Sequence, residues 1–319
     1  MRRAAARRVG RTLKGDLNML LKARVSVALK AAALSFALMA AAPAMAGDVY
    51  APEDYAVAEE MIAAMDYRDA FAVYNELADA GDPVAQYNLG VMFSNGYGVA
   101  QNFAKAREWY AKAALQGNSD AQYNLGRLFH LGLGGKKNIA KARQWYKKAM
   151  ENRNDRAAYN LALTYDRPRA GREAYKMARE YYRIAADGGY APAMFNLGVM
   201  FHLGRGVLRD DKIAGYWFKQ AADRNLADAQ YNSAMFYHLG YGVNKDDNIA
   251  AAYLIRSAEN GFPPSQFQLG RFYEYGYGVD QDLDKARYWY QEALARGFQE
   301  EDPVLVKPAK AKNIYRTYK

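Results

Sequence analysis

The sequence predicts an all-α fold, a solenoid of stacked helix-turn-helix repeats, and three observations lead there. A 36-residue period brings nearly every prominent residue between 82 and 297 into register. A pair of glycines returns once in most periods. Each period also holds a stretch with apolar or small residues at i, i+3, i+4, i+7 and i+8, as in Ala106, Trp109, Tyr110, Ala113 and Ala114. That spacing marks a helix with one buried face.

The N-terminal element is of a different kind. Residues 1–46 hold nine Lys/Arg and one acid, Asp16, and the basic stretch ends in an apolar run from Ala31 to Ala42 followed by Pro43-Ala44-Met45-Ala46-Gly47. A basic segment, a short apolar segment and a small-x-small site predict a secretory signal peptide over 1–46, cut after Ala46. The run is shorter than the roughly 20 residues a bilayer span needs. Met19 would open a segment of ordinary signal length, so the start is either Met1 or Met19, and an uncleaved N-terminal anchor is the competing reading. The expected product is soluble, without a transmembrane span, and periplasmic.

Residues 47–81 read as a degenerate N-terminal capping repeat, with Asp66, Asp69, Ala70, Tyr74 and Ala78 in the register of a second helix and no loop before it. Six full units follow over 82–297. In the first, helix A runs from about Val84 to Ser94 and carries Ala85, Leu89 and Met92 on one side. Gly96-Tyr97-Gly98-Val99 then supplies a tight connection at positive φ. Helix B starts near Asn102, with Asn138, Asp210, Asp246 and Asp282 at equivalent positions, all good N-caps. Glycine closes several units, at Gly81, Gly117, Gly189, Gly261 and Gly297. Because one pair cannot bury its apolar face alone, the pairs must stack. Trp109, Trp145, Trp217 and Trp289 are then expected core staples, each costing about 3–5 kcal/mol on truncation. The third unit departs from the pattern: Asp166-Arg167-Pro168-Arg169-Ala170-Gly171-Arg172 replaces the glycine loop. Residues 298–319 leave register as a basic tail, either disordered or folded back on the last repeat.

The recurring pattern Ala-x-Tyr-Asn-Leu-Gly, the glycine loop and Asp-x-x-Lys-Ala-x-x-Trp-Tyr resemble the Sel-1-like repeat, a relative of the tetratricopeptide repeat. Ala121 to Gly126 and Asp282 to Tyr290 carry the likeness most closely. The resemblance implies a right-handed α-solenoid and a role in protein–protein interaction, often as an adaptor in membrane-associated or envelope complexes.

Composition excludes several chemistries. The chain has no cysteine, which removes disulfides, thiolate metal sites and a cysteine nucleophile. Its formal charge of +10 belongs mainly to the first 46 residues and does not signal nucleic-acid binding. The glycine loops lack the Lys-Ser/Thr ending of a phosphate-binding loop. The three histidines, His130, His202 and His238, share one repeat position, and stacked units roughly 10 Å apart cannot share a zinc. No catalytic residue, cofactor site or metal site is predicted.

Two features remain as binding candidates. Asn88, Asn124, Asn160, Asn196 and Asn232, with Gln268, recur once per unit on helix A. Carboxamides pair with both N–H and C=O of an extended peptide, and in the tetratricopeptide class helix A lines the concave surface. Arg127 and Arg271, one turn further on, would anchor carboxylates. The same amides would otherwise hold the stack together. The second feature is charge: residues 127–183 hold 15 basic and five acidic groups, against four and 12 in 47–126. Lys136, Lys137, Lys141, Arg143, Lys147 and Lys148 form the expected basic dock, or else an ordinary solvated face. The reading that results is an exported, non-catalytic scaffold binding a peptide or protein segment in its concave groove, in envelope assembly or regulation. The alternative is a factor binding cell wall or anionic polysaccharide, or an envelope hydrolase, using the basic zone and Tyr97, Tyr241 and Tyr277.

Overall fold

A computed structural model describes residues 52–298. The signal segment over 1–46 and the tail from Gln299 lie outside the described residues. Fourteen α-helices and no strand occur among the described residues, and the fold is an all-α solenoid. The chain divides into two compact units at Asn138/Ile139. The first holds α1 (Pro52–Ala63), α2 (Tyr67–Asp79), α3 (Pro83–Asn95), α4 (Phe103–Leu115) and α5 (Ser119–Leu131). The second holds α6 (Ile139–Glu151), α7 (Asp155–Tyr165), α8 (Arg172–Asp187), α9 (Ala191–Leu203), α10 (Asp211–Ala222), α11 (Ala227–Leu239), α12 (Asp247–Glu259), α13 (Pro263–Tyr275) and α14 (Leu283–Ala295). Within each unit, every helix packs on the next one in the chain.

Local chemistry sets the helix ends. The Asn102, Asp210, Asp246 and Asp282 side chains accept backbone N–H groups in the first turns of α4, α10, α12 and α14. Helix A ends on a left-handed glycine at Gly96, Gly132, Gly204, Gly240 and Gly276. The second loop glycine has a further task. A Cβ on Gly98 would overlap the Tyr67 carbonyl at the start of α2, and one on Gly242 would overlap the Asp211 carbonyl at the start of α10. Each loop therefore lies directly on the N-terminus of the preceding helix B, and glycine permits that approach. Unit closure also needs left-handed backbone, and where glycine is absent Arg153 (φ 60°) and Asn225 (φ 63°) adopt it.

The core differs from expectation at one column. Of the four tryptophans only Trp217 is buried; Trp109, Trp145 and Trp289 are half-buried. A lysine ammonium lies 3.6 Å from the Trp109 ring centroid (Lys112) and 4.8 Å from that of Trp145 (Lys148). The inner staples are their neighbours Tyr110, Tyr146, Tyr182, Phe218 and Leu254, all at most 3% exposed. These residues share a face with Ala106, Ala142, Ala178, Ala214 and Ala250, also buried. The inward direction bisects the alanine stripe, and the tryptophans sit at its edge, where Trp109 and Trp145 each carry a lysine over the ring.

Candidate interaction site

A glutamine column, two residues before the asparagines, supplies the polar framework of helix A. The Nε2 groups of Gln86, Gln122, Gln230 and Gln266 donate to the Ala78, Ala114, Ala222 and Ala258 carbonyls at 3.1–3.5 Å. Those carbonyls belong to the last turn of the preceding helix B and have no partner within it. The ladder is extended by Gln116, which donates to Gln86 Oε1 (2.9 Å), and by Asn260, which donates to Gln230 Oε1 (3.1 Å). Sequence reasoning saw these glutamines in the repeat motif and gave them no role. Their recurrence in four of the six repeats, with Ala158 and Met194 at the position in the third and fourth, was the available signal.

The asparagine column divides by exposure. In the first unit Asn88 and Asn124 are half-buried and Arg127 is exposed, its guanidinium 5.9 Å from the Tyr123 ring centroid. In the second unit Asn160 is half-buried and donates to the Arg156 carbonyl (2.9 Å). Asn196, Asn232 and Gln268 are buried at 5%, 7% and 4% exposure. Asn196 donates to the Tyr159 hydroxyl of the preceding repeat (3.5 Å), and Asn232 to the Asp228 carbonyl (2.7 Å). Arg271 is half-buried, 6.0 Å from the Tyr275 ring centroid. The helix-A surface is thus closed along α9 and α11, where Val199 and Met235 are buried as well, half closed along α3 and α13, where Val91 and Gln268 are buried, and more open along α5 and α7.

The basic residues also separate. Lys136 and Lys137 are exposed at the end of the first unit, and the Lys136 carbonyl accepts from Arg107 (3.3 Å). In the second unit Lys141, Lys147 and Lys148 are exposed. Arg143 is engaged inside the fold: it donates to Thr164 Oγ1 (2.9 Å) and the Thr164 carbonyl (2.8 Å), and stacks 3.7 Å from the Tyr165 ring centroid. Tyr97 and Tyr277 are 37% exposed and Tyr241 is half-buried.

Two histidines clip their own loops. His202 Nδ1 shares a hydrogen bond with Asp211 (2.7 Å) and His238 Nδ1 one with Asp247 (2.6 Å), joining the end of each helix A to the first residue of helix B. Burial pushes the Asp211 carboxyl up, but hydrogen bonds from Arg209 and His202 outweigh it and hold the group below the usual carboxylate range. No cluster of three metal-ligating side chains occurs among the described residues.

Sel1 repeats match residues 83–118, 119–154, 155–190, 191–226, 227–262 and 263–298, well over half of the chain. The chain belongs to the Sel1 repeat family. Among solved structures it is similar to a Sel1 repeat protein from Oxalobacter formigenes, at 29% identity and a TM-score of 0.64, covering 79% of this chain and 99% of that one. It is also similar to a protective antigen present in uropathogenic Escherichia coli strains, which displays the same repeat fold. There the identity is 32% and the TM-score 0.67, over 75% of this chain and 54% of the antigen. No curated protein matches the sequence. Sel1 repeat proteins are generally protein-interaction scaffolds, and the Sel1 fold is typically non-catalytic. Among the described residues no helix is long and apolar enough to cross a membrane.

Proposed function

We propose that this Sel1 repeat protein is an exported, non-catalytic adaptor that binds a peptide or protein segment on the exposed parts of its helix-A surface. Asn88, Asn124 and Arg127 would make the contact in the first unit, and Asn160 and Arg271 in the second. The observation that carries this reading is the exposed Arg127 one turn beyond the half-buried Asn124, on a repeat whose structural hydrogen bonding is handled by Gln122 instead. That division of labour leaves a carboxamide and a guanidinium for a partner's backbone and carboxylates. The signal-like segment over 1–46 supports a periplasmic setting, and the family's adaptor roles support a place in envelope assembly or regulation.

The test is affinity capture from periplasmic extract with crosslinking and mass spectrometry. Wild type is run beside an Asn124→Ala/Arg127→Ala/Asn160→Ala variant whose helical content and melting match. A protein partner held by wild type and lost by the variant is the expected result. Equal retention by the folded variant removes the helix-A surface from the reading.

A further inference from the structure

The third repeat presents arginines in a way no other repeat does. Its helices α7 and α8 are joined by residues 166–171 in place of the glycine loop, and this connection is built rather than loose. The Asp166 carboxylate accepts from the Tyr182 hydroxyl (3.1 Å) and lies 3.8 Å from Arg205. The Arg167 carbonyl accepts from the Tyr175 hydroxyl (3.1 Å) and from the Ala170 N–H (2.9 Å). Arg169 sits in the left-handed region at φ 61°, a conformation that costs a non-glycine residue about 1 kcal/mol or more. The turn is held by these contacts, and its arginines are exposed.

Arg167, Arg169, Arg172 and Lys176 are exposed, and none makes an ion pair or side-chain hydrogen bond among the described residues. The nearby arginines behave otherwise. Arg143 is bound to Thr164, Arg179 donates to the Gly206 carbonyl (3.4 Å), Arg183 pairs with Asp187 (2.8 Å), and Arg205 pairs with Asp166. Over 167–176 Glu173 is the single acid, against four cations. Unpaired guanidinium groups on a fixed turn match planar oxyanions two bonds at a time. On the C-terminal side of the patch, residues 184–298 hold 11 basic and 13 acidic groups, while on the N-terminal side the basic excess continues through Lys141, Lys147 and Lys148 of α6. What sets the loop apart from the lysines of α6 is its guanidinium forks, which match carboxylates, and on a protein-interaction scaffold those carboxylates come on a polypeptide segment.

We infer that the α7–α8 loop, with Arg167, Arg169 and Arg172, docks a carboxylate-rich protein segment. This site rests on the interaction-scaffold reading but not on the helix-A contact, which lies on other residues. The decisive experiment measures fluorescence anisotropy of a short fluorescein-labelled glutamate-rich peptide titrated with the protein, alongside heparin and phosphatidylglycerol vesicles. The variants are Arg167→Gln/Arg169→Gln/Arg172→Gln and, as a charge-matched control, Lys136→Gln/Lys147→Gln/Lys148→Gln. Salt-sensitive peptide binding, weakened at least about tenfold by the loop variant and less than about twofold by the control, is the expected result. Equal weakening by both variants overturns the inference, because it reports net charge alone. No peptide binding by wild type overturns it too, as does loop-dependent binding confined to heparin or vesicles. The Asn124→Ala/Arg127→Ala/Asn160→Ala variant separates the two surfaces: it keeps loop binding even where the helix-A reading fails.

Discussion

The third repeat and the fourth and fifth repeats connect the same two helices by different means. In the fourth and fifth, Gly206 and Gly242 lie on the start of the preceding helix B and a His–Asp hydrogen bond closes the connection. In the third, Asp166 occupies the histidine's position and bonds to Tyr182, while Arg169 takes the left-handed turn. The glycine loop lies against the preceding helix B, on the Asp211 backbone at Gly242 and on Tyr175 at Gly206. The arginine loop is anchored by side chains and leaves its tip for solvent or a partner. The unpaired charge lies in the second kind of connection.

What the two regions share is the inner column, and removing it gives the largest effect. Tyr182→Ala should cost about 3–5 kcal/mol and Leu254→Ala about 2–5, whereas Trp145→Ala, at the half-buried edge, should cost clearly less than either. Thermal melts of the three variants check the order, and a Trp145 loss equal to that of Tyr182 would restore the tryptophans as the staples. The comparison itself is broken most directly at the loops. Gly242→Ala should destabilise by about 3 kcal/mol or more, since it sets a Cβ against the Asp211 backbone at positive φ. Ala170→Gly, at the equivalent turn of the third repeat, should cost less than about 1 kcal/mol.

Acid separates the regions by sign. The Asp211 carboxyl is held low, so its contribution is present above the ordinary carboxylate pKa and is lost as pH falls through its folded value. Burial raises the Asp166 carboxyl, and Arg205 and Tyr182 only partly offset it. The folded state therefore takes up a proton there more readily than the unfolded state, and stability is gained as pH falls through that raised value. Melting followed against pH should show Asp211→Asn removing an acid-induced loss and Asp166→Asn removing an acid-induced gain. The smallest effect sharpens the view of unit closure: Arg153→Gly should stabilise by about 0.5–1 kcal/mol by relieving left-handed backbone, and a lower melting temperature would mean that the Arg153 side chain contributes to the fold.

Much of this was legible in the sequence. The period, the two helices per unit and the caps at Asn102, Asp210, Asp246 and Asp282 follow from spacing and side-chain chemistry, and the third-repeat departure was visible as a missing glycine pair. Trp109 and Tyr110 could not be ranked, because adjacent residues lie about 100° apart on a helix and both fell within the apolar stripe. The burial of Asn196 and Asn232, in contrast to Asn88 and Asn124, depends on how closely neighbouring helices approach, which the repeat motif leaves open. The glutamine ladder was hidden for a related reason. Its partners are carbonyls of the previous helix, and a backbone acceptor has no residue identity to read.

The account's central claim is that the helix-A surface receives a polypeptide, and site-specific photocrosslinking tests it most directly. A photoreactive amino acid placed at Arg127 on α5, and in a second protein at Lys147 on α6, is irradiated in intact cells and the products are identified by mass. The account predicts crosslinks from Arg127 to a distinct protein and none from Lys147. Crosslinks from Lys147 alone, or none to any protein from Arg127, would contradict it.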